Sequence, residues 1–145
     1  MNTVELVACG DPRRAEALIR RNMAVDYRRH GLDWDDDAFR REWPRLTWRW
    51  LVRFDRRCGL MAWQLRHGIL YLHELQVCEG ERGKGLGAQA LALVEAQARR
   101  EDCVAVRLRV LSGSRAEALY RRQGYRKLRE DPTPRGCIFG LEKRL

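Results

Sequence analysis

Short segments of alternating or continuous apolar residues, separated by polar turns, recur along the chain and predict strands. The turns Asp55–Cys58 and His67-Gly68 are only a few residues long, so the three strands that they join are expected to form an antiparallel meander. The seven predicted strands are Thr3–Ala8, Thr47–Phe54, Gly59–Leu65, Ile69–Val77, Cys103–Leu111, Tyr125–Leu128 and Cys137–Leu141.

Four segments between these strands are predicted to be helical. The first opens with Asp11 as its side-chain cap and Pro12 in its first turn, and the second has three aspartates at its N-terminal end. The predicted helices run from Pro12 to about Asn22, from Asp35 or Asp36 to Arg45, from Ala88 to Ala98 and from Ser114 to Gln123. The element order β-α-α-β-β-β-α-β-α-β-β predicts an α/β fold in one domain of 145 residues.

The charge balance is strongly basic, because 29 lysines and arginines stand against 20 aspartates and glutamates, a formal net charge of +9. Such a surplus suits nucleic acid or an acidic partner. The arginines are nevertheless scattered through every segment, and no basic block interleaved with aromatic residues occurs. We therefore expect the surplus to serve solubility and the attraction of a polyanionic cofactor. Nucleic-acid binding is an alternative that requires a contiguous basic face.

Cysteines and apolar runs bear on metal sites and on the cellular compartment. The five cysteines are odd in number, far apart and without a C-x-x-C pair, so the sequence predicts neither a disulfide framework nor a zinc site. No stretch of the sequence approaches 18 uncharged apolar residues, and the first five residues lack the layout of a signal peptide. These features predict a cytoplasmic protein with reduced thiols and no membrane span.

A strand, a glycine-rich turn and the start of a helix fall together in the middle of the chain. Residues 82–87, called the glycine loop below, read Arg-Gly-Lys-Gly-Leu-Gly. Glycine permits positive φ and close approach of the main chain to a ligand, and a helix N-terminus presents free N–H groups and partial positive charge. The spacing fits neither the mononucleotide P-loop nor the dinucleotide fingerprint. The loop therefore predicts a different phosphate site, and a tight turn without a ligand is the alternative.

The R-x-x-G-x-G pattern of the glycine loop resembles the acetyl-CoA pyrophosphate loop of the GCN5-related N-acetyltransferase (GNAT) superfamily, and the element order is similar from end to end. The resemblance implies acetyl-CoA as cofactor and acetyl transfer to an amine. It also implies a mixed sheet that splays between the strand before the loop and the strand after the central helix. The cofactor-binding residues that it implies are Leu75, Gln76, Val77, Arg82, Gly83, Lys84, Gly85, Leu86, Gly87, Ala88 and Ser114.

The segment Ala116–Tyr125 is similar to the family pattern N-x-x-A-x-x-L-Y-x-x-x-G-F, whose tyrosine lies beside the cofactor sulfur. Tyr120 occupies that position and is the candidate acid for the leaving thiolate, with simple packing in the helix as the alternative reading. The asparagine of the pattern is replaced by Gly113, and Ser112 or Ser114 is expected to make up part of the lost contact.

The strand Ile69–Val77 carries the candidate base. Ideal alternation separates Glu74 from Tyr71 and His73, whereas a bulge, which is frequent in this strand of the family, would bring His73 and Glu74 toward one cleft. Glu74 stands among apolar residues, so its pKa should be raised, which suits a base that works through water. Two alternatives are a plain ion pair of Glu74 with Arg66 or Arg109, and His73 as the base.

A nearer resemblance is to the histone N-terminal acetyltransferase branch, the NatD type, through the runs around Asn22 and Tyr71–Gln76 and the glycine loop. It implies a peptide site with Tyr71 and Glu74, and with His73 in place of a second tyrosine. The resemblance slightly favours a peptide or protein α-amine over a small amine such as a polyamine, amino acid or aminoglycoside. Tyr27 and Trp34 are expected at the substrate site, where the aspartates 35–37 would attract a cation or cap a helix.

The sequence leaves the assembly and one rival function open. A monomer and a homodimer are both consistent with the chain. A non-catalytic CoA-binding or regulatory module on the same fold is the rival from another class, and the presence of both Tyr120 and Glu74 argues against it.

Overall fold

A computed structural model describes residues 3–145, in which all seven predicted strands and all four predicted helices occur in the expected order. The strands are β1 (Glu5–Ala8), β2 (Thr47–Arg53), β3 (Arg56–Arg66), β4 (Ile69–Val77), β5 (Ala105–Leu111), β6 (Arg126–Thr133) and β7 (Gly136–Arg144). The helices are α1 (Pro12–His30), α2 (Asp36–Glu42), α3 (Leu86–Arg100) and α4 (Arg115–Arg122). Short 3₁₀ turns cover Trp43–Arg45 and Glu79–Glu81.

The strands form one mixed sheet in the order β1-β2-β3-β4-β5-β7-β6. Only β4 and β5 are parallel neighbours, and α3 makes the crossover between them. All other neighbouring strands run antiparallel. Among residues 3–145, the one parallel contact therefore lies near the middle of the sheet, and the glycine loop and α3 connect its two strands.

Alternating side chains of β2 and β3 divide the core between the two faces of the sheet. On one face, Leu51 and Met61 pack with residues of α3 and α4. On the other face, Trp50 and Leu60 pack with the apolar side of α1. Helices cover both faces, so the sheet is buried in the centre of a three-layer α/β fold.

The parallel strands β4 and β5 are paired over only half of their length. Their register runs from Ile69 opposite Ala105 to Leu72 opposite Leu108 and stops there. Beyond this point, the residues 73–76 of β4 and 109–111 of β5 line opposite sides of a cleft. The splay that the family resemblance implied is therefore present, and it opens at the end of β4 from which the glycine loop departs.

A β-bulge lies on β4 just where the splay begins. Ala62 of β3 pairs with Glu74, but the next residue of β3, Trp63, pairs with Leu72, so His73 is the extra residue. A bulge shifts the alternation of side chains by one position. Leu72 and Leu75 consequently both pack into the core on the α3 side, while Gln76 turns to α1.

Five elements, namely α1, α3, β3, β6 and β7, are longer than predicted, and α1 and β6 extend furthest beyond their predicted ends. Helix α1 continues to His30, and its last turns were not predicted because they lack an apolar stripe. The helix stops where Gly31 adopts the left-handed conformation at φ 71°. Strand β6 continues to Thr133 as an exposed edge strand with little apolar alternation, where Pro132 is tolerated.

Candidate active site

The splay between β4 and β5 encloses a cleft of about 220 Å³, called the central cleft below. Strand β4 supplies residues 73–76 to its wall, and β5 supplies residues 109–111. Met23 and Tyr27 of α1 line one side, and Tyr120 of α4 lines another. The cleft thus brings together the two residues that the sequence predicted as base and acid, Glu74 and Tyr120.

The carboxyl group of Glu74 is buried in the cleft wall, although the residue as a whole keeps some exposed surface. Burial raises its pKa to about 7, and the hydrogen bond that Gln76 Nε2 donates to Glu74 Oε1 at 3.0 Å partly offsets that effect. Among residues 3–145, no cation lies within ion-pair distance of Glu74, and Arg109 instead pairs with Asp131 at 3.5 Å. The alternative ion pair with Arg66 or Arg109 is therefore absent.

The orientation of Gln76 is fixed from the side of α1. Asn22 Nδ2 donates to Gln76 Oε1 at 3.1 Å and to the carbonyl oxygen of Val77 at 3.0 Å. Because the Gln76 oxygen is occupied in this way, its NH₂ group points to Glu74. Asn22 is therefore a positioning residue that the sequence analysis assigned no role, and Gln76, predicted to bind the cofactor, uses its side chain to hold Glu74.

Tyr120 is buried with 6% of its surface exposed, and its ring packs on Tyr125 with ring centroids 5.8 Å apart. Among residues 3–145, the Tyr120 hydroxyl has no hydrogen-bond partner and lies at the cleft surface. Burial and the nearby charge of Glu74 raise the pKa of Tyr120, so the phenol keeps its proton at neutral pH. A buried network holds Tyr125 in turn, because Glu95 accepts from Tyr125 at 2.9 Å and from Lys143 at 3.0 Å.

His73 lines the same cleft as Glu74, as a bulge would require. Its Nε2 atom lies 2.8 Å from the Gln64 amide, and Nδ1 lies 4.0 Å from the carboxylate of Glu42. Burial lowers the pKa of His73, although Glu42 opposes that shift. These contacts connect His73 to β3 and to the end of α2, and it remains the second candidate base.

The glycine loop leaves open space for a ligand beside its backbone. Gly83 and Gly85 both have φ 77°, and a Cβ atom added to either glycine would meet no heavy atom within 4 Å. Gly85 is also the cap of α3 and provides no side-chain hydrogen bond to the first-turn N–H groups. The backbone at Gly85 and the start of α3 therefore presents donors suited to an anion, as predicted.

Not every residue of the loop can reach a ligand through its side chain. Lys84 Nζ donates to Glu81 Oε2 at 3.1 Å, and this hydrogen bond lowers the pKa of Glu81. Leu86 is buried in the core, and a Cβ at Gly87 would lie 2.6 Å from Leu119. The third glycine therefore allows close packing of α3 against α4. Lys84 shares the single Glu81 carboxylate with Arg53 and Arg56, so this cluster keeps a positive charge beside the glycine loop.

The hydroxyl groups of Ser112 and Ser114, in the loop between β5 and α4, already make hydrogen bonds within the protein. Ser114 caps α4, since its Oγ accepts from the Glu117 N–H at 3.1 Å and donates to the carbonyl of Leu111 at 2.8 Å. Ser112 Oγ accepts from the N–H of Cys137 at 3.3 Å. A serine hydroxyl that replaced the missing asparagine contact to the cofactor would therefore have to share or give up a hydrogen bond within the protein at either position.

A second cavity of about 470 Å³, called the outer cavity below, lies beside the C-terminal half of α1. Tyr27 lines both the outer cavity and the central cleft, and Trp34 lines the outer cavity only. Tyr71 lines neither of them and instead lies against Arg107, whose pKa is raised by Glu142 and by that contact. Of the predicted substrate-binding residues, the structure thus places His73, Tyr27 and Trp34 at the two cavities.

The aspartates of the α2 start do not line either cavity. Asp35 caps α2 through the N–H of Ala38 at 3.0 Å, and Asp36 pairs with Arg20 at 3.8 Å. Asp37 pairs with Arg40 at 3.3 Å. Of the two roles that the sequence left open, helix capping by Asp35 is present in the structure, and attraction of a cationic substrate stays a prediction.

Comparison with known families agrees with this geometry. Residues 21–125, which include Asn22, β4, the glycine loop and Tyr120, match the acetyltransferase (GNAT) family. The chain belongs to the GNAT acetyltransferase family. The match concerns the family as a whole, so the nearer resemblance to the NatD type stays a prediction.

Solved structures show the same GNAT fold at low sequence identity. An acetyltransferase from Bacillus subtilis in complex with CoA has 15% identity and a TM-score of 0.77, with 100% of this chain and 99% of that chain covered. A GNAT acetyltransferase from Elizabethkingia anophelis with acetyl-CoA bound has 13% identity and a TM-score of 0.75, with 99% and 97% covered. The ribosomal-protein-S18-alanine N-acetyltransferase from Escherichia coli has 18% identity and a TM-score of 0.73, with 99% and 94% covered.

Two further findings concern sequence matches and membrane segments. No curated protein matches this GNAT chain in sequence. Within residues 3–145, none of the helices has the length and apolar character needed to cross a membrane.

Proposed function

We propose that this GNAT protein transfers an acetyl group from acetyl-CoA to a primary amine, with a peptide or protein α-amine as the first acceptor to test. One observation carries the proposal. A carboxyl group with a pKa of about 7, Glu74, and a protonated phenol, Tyr120, face the same cleft beside an open glycine loop. Acyl transfer to an amine requires a proton acceptor and benefits from a proton donor, and these two groups match that need.

The glycine loop fits the pyrophosphate of the cofactor. Gly83 and Gly85 leave room beside the backbone, and the first turn of α3 directs unpaired N–H groups outward. Bound acetyl-CoA would supply the acetyl group as an activated thioester. The CoA and acetyl-CoA held by the Bacillus subtilis and Elizabethkingia structures support the same cofactor here.

Glu74 is suited to accept the proton of an ammonium group. With a pKa of about 7 it is substantially ionised at neutral pH and still basic enough to take a proton. Gln76 occupies Oε1, and among residues 3–145 the other oxygen, Oε2, has no hydrogen-bond partner. That oxygen is available to the acceptor amine or to a bridging water.

Tyr120 is suited to donate a proton in the same cleft. Its raised pKa keeps the hydroxyl protonated, and the packing of its ring on Tyr125 fixes the direction of the Cζ–O bond. The hydroxyl is therefore available to a developing negative charge, and we assign it to the departing thiolate. Residues 75–77 of β4, whose backbone borders the splay, are the proposed partners of the thioester carbonyl.

The acceptor class is tested by direct product analysis. Purified protein is incubated with acetyl-CoA and a panel of peptides, polyamines, amino acids and aminoglycosides, and N-acetyl products are identified by mass spectrometry. The Escherichia coli relative is named for acetylation of an alanine of a ribosomal protein, which supports giving peptide N-termini priority. Acetylation confined to small amines would refute the peptide assignment and keep the reaction type.

The Gly85→Ala variant tests the glycine loop. The new Cβ enters the open space beside the loop, so we expect CoA affinity measured by calorimetry to fall at least about tenfold. The control is Gly68→Ala in the β3–β4 turn, where φ is 75° and the space around the Cβ is equally open. Both variants carry the same backbone strain, so equal losses of affinity would show that the loop does not hold the cofactor.

A further inference from the structure

The outer cavity has a distinctly basic lining. Arg20, Arg28 and Arg135 contribute to its wall, and Asp33 is the one carboxylate among its lining residues within the described part of the chain. Arg20 is already partnered, because it pairs with Asp36 at 3.8 Å and lies 5.7 Å from the centre of the Trp34 ring. Arg28 and Arg135 have no carboxylate within 4.0 Å among residues 3–145.

The two arginines approach the cavity from separate elements. Arg28 lies in the last turn of α1, and Arg135 lies in the turn between β6 and β7. The turn is held to the end of α1, since Arg135 N–H donates to the carbonyl of His30 at 3.2 Å. The buried His30 side chain also contacts Thr133 at 3.0 Å, so the arginines are carried by segments that are fixed relative to each other.

The outer cavity adjoins the central cleft. Met23, Tyr27 and Leu32 line both spaces. Burial raises the pKa of Tyr27, and the charge of the nearby Glu74 carboxylate adds to that shift. Tyr27 and Trp34 stack with ring centroids 6.3 Å apart, so an aromatic surface of the outer cavity reaches the central cleft through Tyr27.

From this arrangement we infer that the outer cavity binds a negatively charged oxyanion group of the acceptor, a carboxylate or a phosphate, between Arg28 and Arg135 while its amine reaches Glu74. Guanidinium groups bind such oxyanions through paired, charge-assisted hydrogen bonds. No residue of the glycine loop, α3 or α4 lines the outer cavity, so this anion site is separate from the one for the cofactor. The inference rests on the proposed function and narrows its acceptor to amines that carry an anion.

The test uses pairs of amines, one with the anionic group and one without it. Acetyl transfer is measured for β-alanine and β-alaninamide, for the dipeptide Ala-Phe and its C-terminal amide, and for O-phosphoethanolamine and ethanolamine. The variants are the double substitution Arg28→Gln/Arg135→Gln and the control Arg66→Gln. Arg66 is the exposed last residue of β3. It pairs with Ile69 at the start of β4, far from the splay at the other end of that strand, and it lines neither cavity.

We expect the wild type to prefer the anionic member of at least one pair by about tenfold or more in kcat/KM. The double variant should lose that preference without losing activity on the uncharged member or affinity for CoA, and Arg66→Gln should keep it. The pair that responds identifies a carboxylate or a phosphate as the natural group. Equal activity on both members of every pair would overturn the inference and leave the proposed function intact. Acetylation of none of these amines would overturn the inference, and the absence of acetylation from the wider panel as well would overturn the proposed function.

Discussion

The Glu74→Gln variant should lose roughly 100-fold in the maximal kcat/KM for acetyl transfer, within the usual contribution of a general base. Glutamine keeps the size of the side chain and can still bond Gln76, but it cannot accept a proton. Affinity for acetyl-CoA should remain at the wild-type value, because Glu74 does not belong to the glycine loop. Steady-state kinetics and calorimetry on the same purified variant measure both quantities.

The pH dependence identifies the group more directly. A base must be deprotonated to act, so the wild-type kcat/KM should rise with pH through about 7 and reach a plateau. The rise through about 7 should be absent in Glu74→Gln. A variant with the wild-type profile would show that another group, His73 foremost, accepts the proton.

Stability gives an independent check on the same variant. The pKa of Glu74 in the folded state, about 7, lies above its ordinary value of 4.5, so the folded protein binds more protons than the unfolded chain between these values. Wild-type stability due to Glu74 therefore falls as pH rises from 4.5 to 7. Glutamine does not titrate, so the Tm of Glu74→Gln relative to the wild type should increase over this range. A lower Tm of the variant at every pH would indicate a mainly structural role for Glu74.

The Tyr120→Phe variant should lower kcat roughly 10- to 1,000-fold, with CoA affinity nearly unchanged. Phenylalanine preserves the packing on Tyr125 and removes only the hydroxyl. That hydroxyl makes no hydrogen bond within residues 3–145, so its loss should leave the Tm nearly unchanged. Stopped-flow or steady-state turnover together with thermal unfolding separates the two effects.

An unchanged kcat in Tyr120→Phe would contradict the assignment of Tyr120 as acid and leave the proton to water. A large fall in Tm would instead show that the hydroxyl has a structural role. Tyr125→Phe serves as the matched control, because it also removes one phenol oxygen from the same pair of rings. In contrast to Tyr120, its hydroxyl bonds the buried Glu95 at 2.9 Å, so this control should lower stability more than Tyr120→Phe does.

The sequence was sufficient for the order of elements because the core is patterned locally. Residues 47–77 alternate or run apolar between short turns, and such patterns predict strands with little need of tertiary information. The end of α1 was missed because its last turns, Val25–His30, are mostly polar and carry no apolar stripe. The basic residues 28–30 and the left-handed Gly31 are the signals that mark its true end.

The candidate site was predictable where a residue acts through its own chemistry and its place on an element. Glu74 and Tyr120 meet in the cleft because one is on β4 and the other on α4, as expected. Contacts between distant segments were not predictable from the residues alone. Asn22 donates a hydrogen bond to Gln76, and Lys84 donates one to Glu81. Both contacts depend on side-chain directions that only the folded chain determines.

The bulge at His73 shows the same limit in the backbone. Alternation alone would have placed Glu74 with Leu72 on the face of the sheet that α3 covers. The extra residue, His73, moves Glu74 to the opposite face. Likewise, the three aspartates at the α2 start left a cationic substrate and helix capping open, and in the structure one of them caps α2 while the other two form ion pairs. The outer cavity is instead lined by positively charged arginines, which come from α1 and from the β6–β7 turn, far apart in sequence.

The central claim is that the cleft between β4 and β5 catalyses acetyl transfer. The most direct test measures the release of free thiol from acetyl-CoA in the presence and in the absence of a pool of amines. We predict that release depends on the amine, reaches saturation with it, and falls by roughly 100-fold in Glu74→Gln at pH 8. Tight binding of acetyl-CoA by the wild type without release of thiol above the rate of the protein-free control, for every amine in the pool, would contradict the account and indicate a CoA-binding module without catalytic activity.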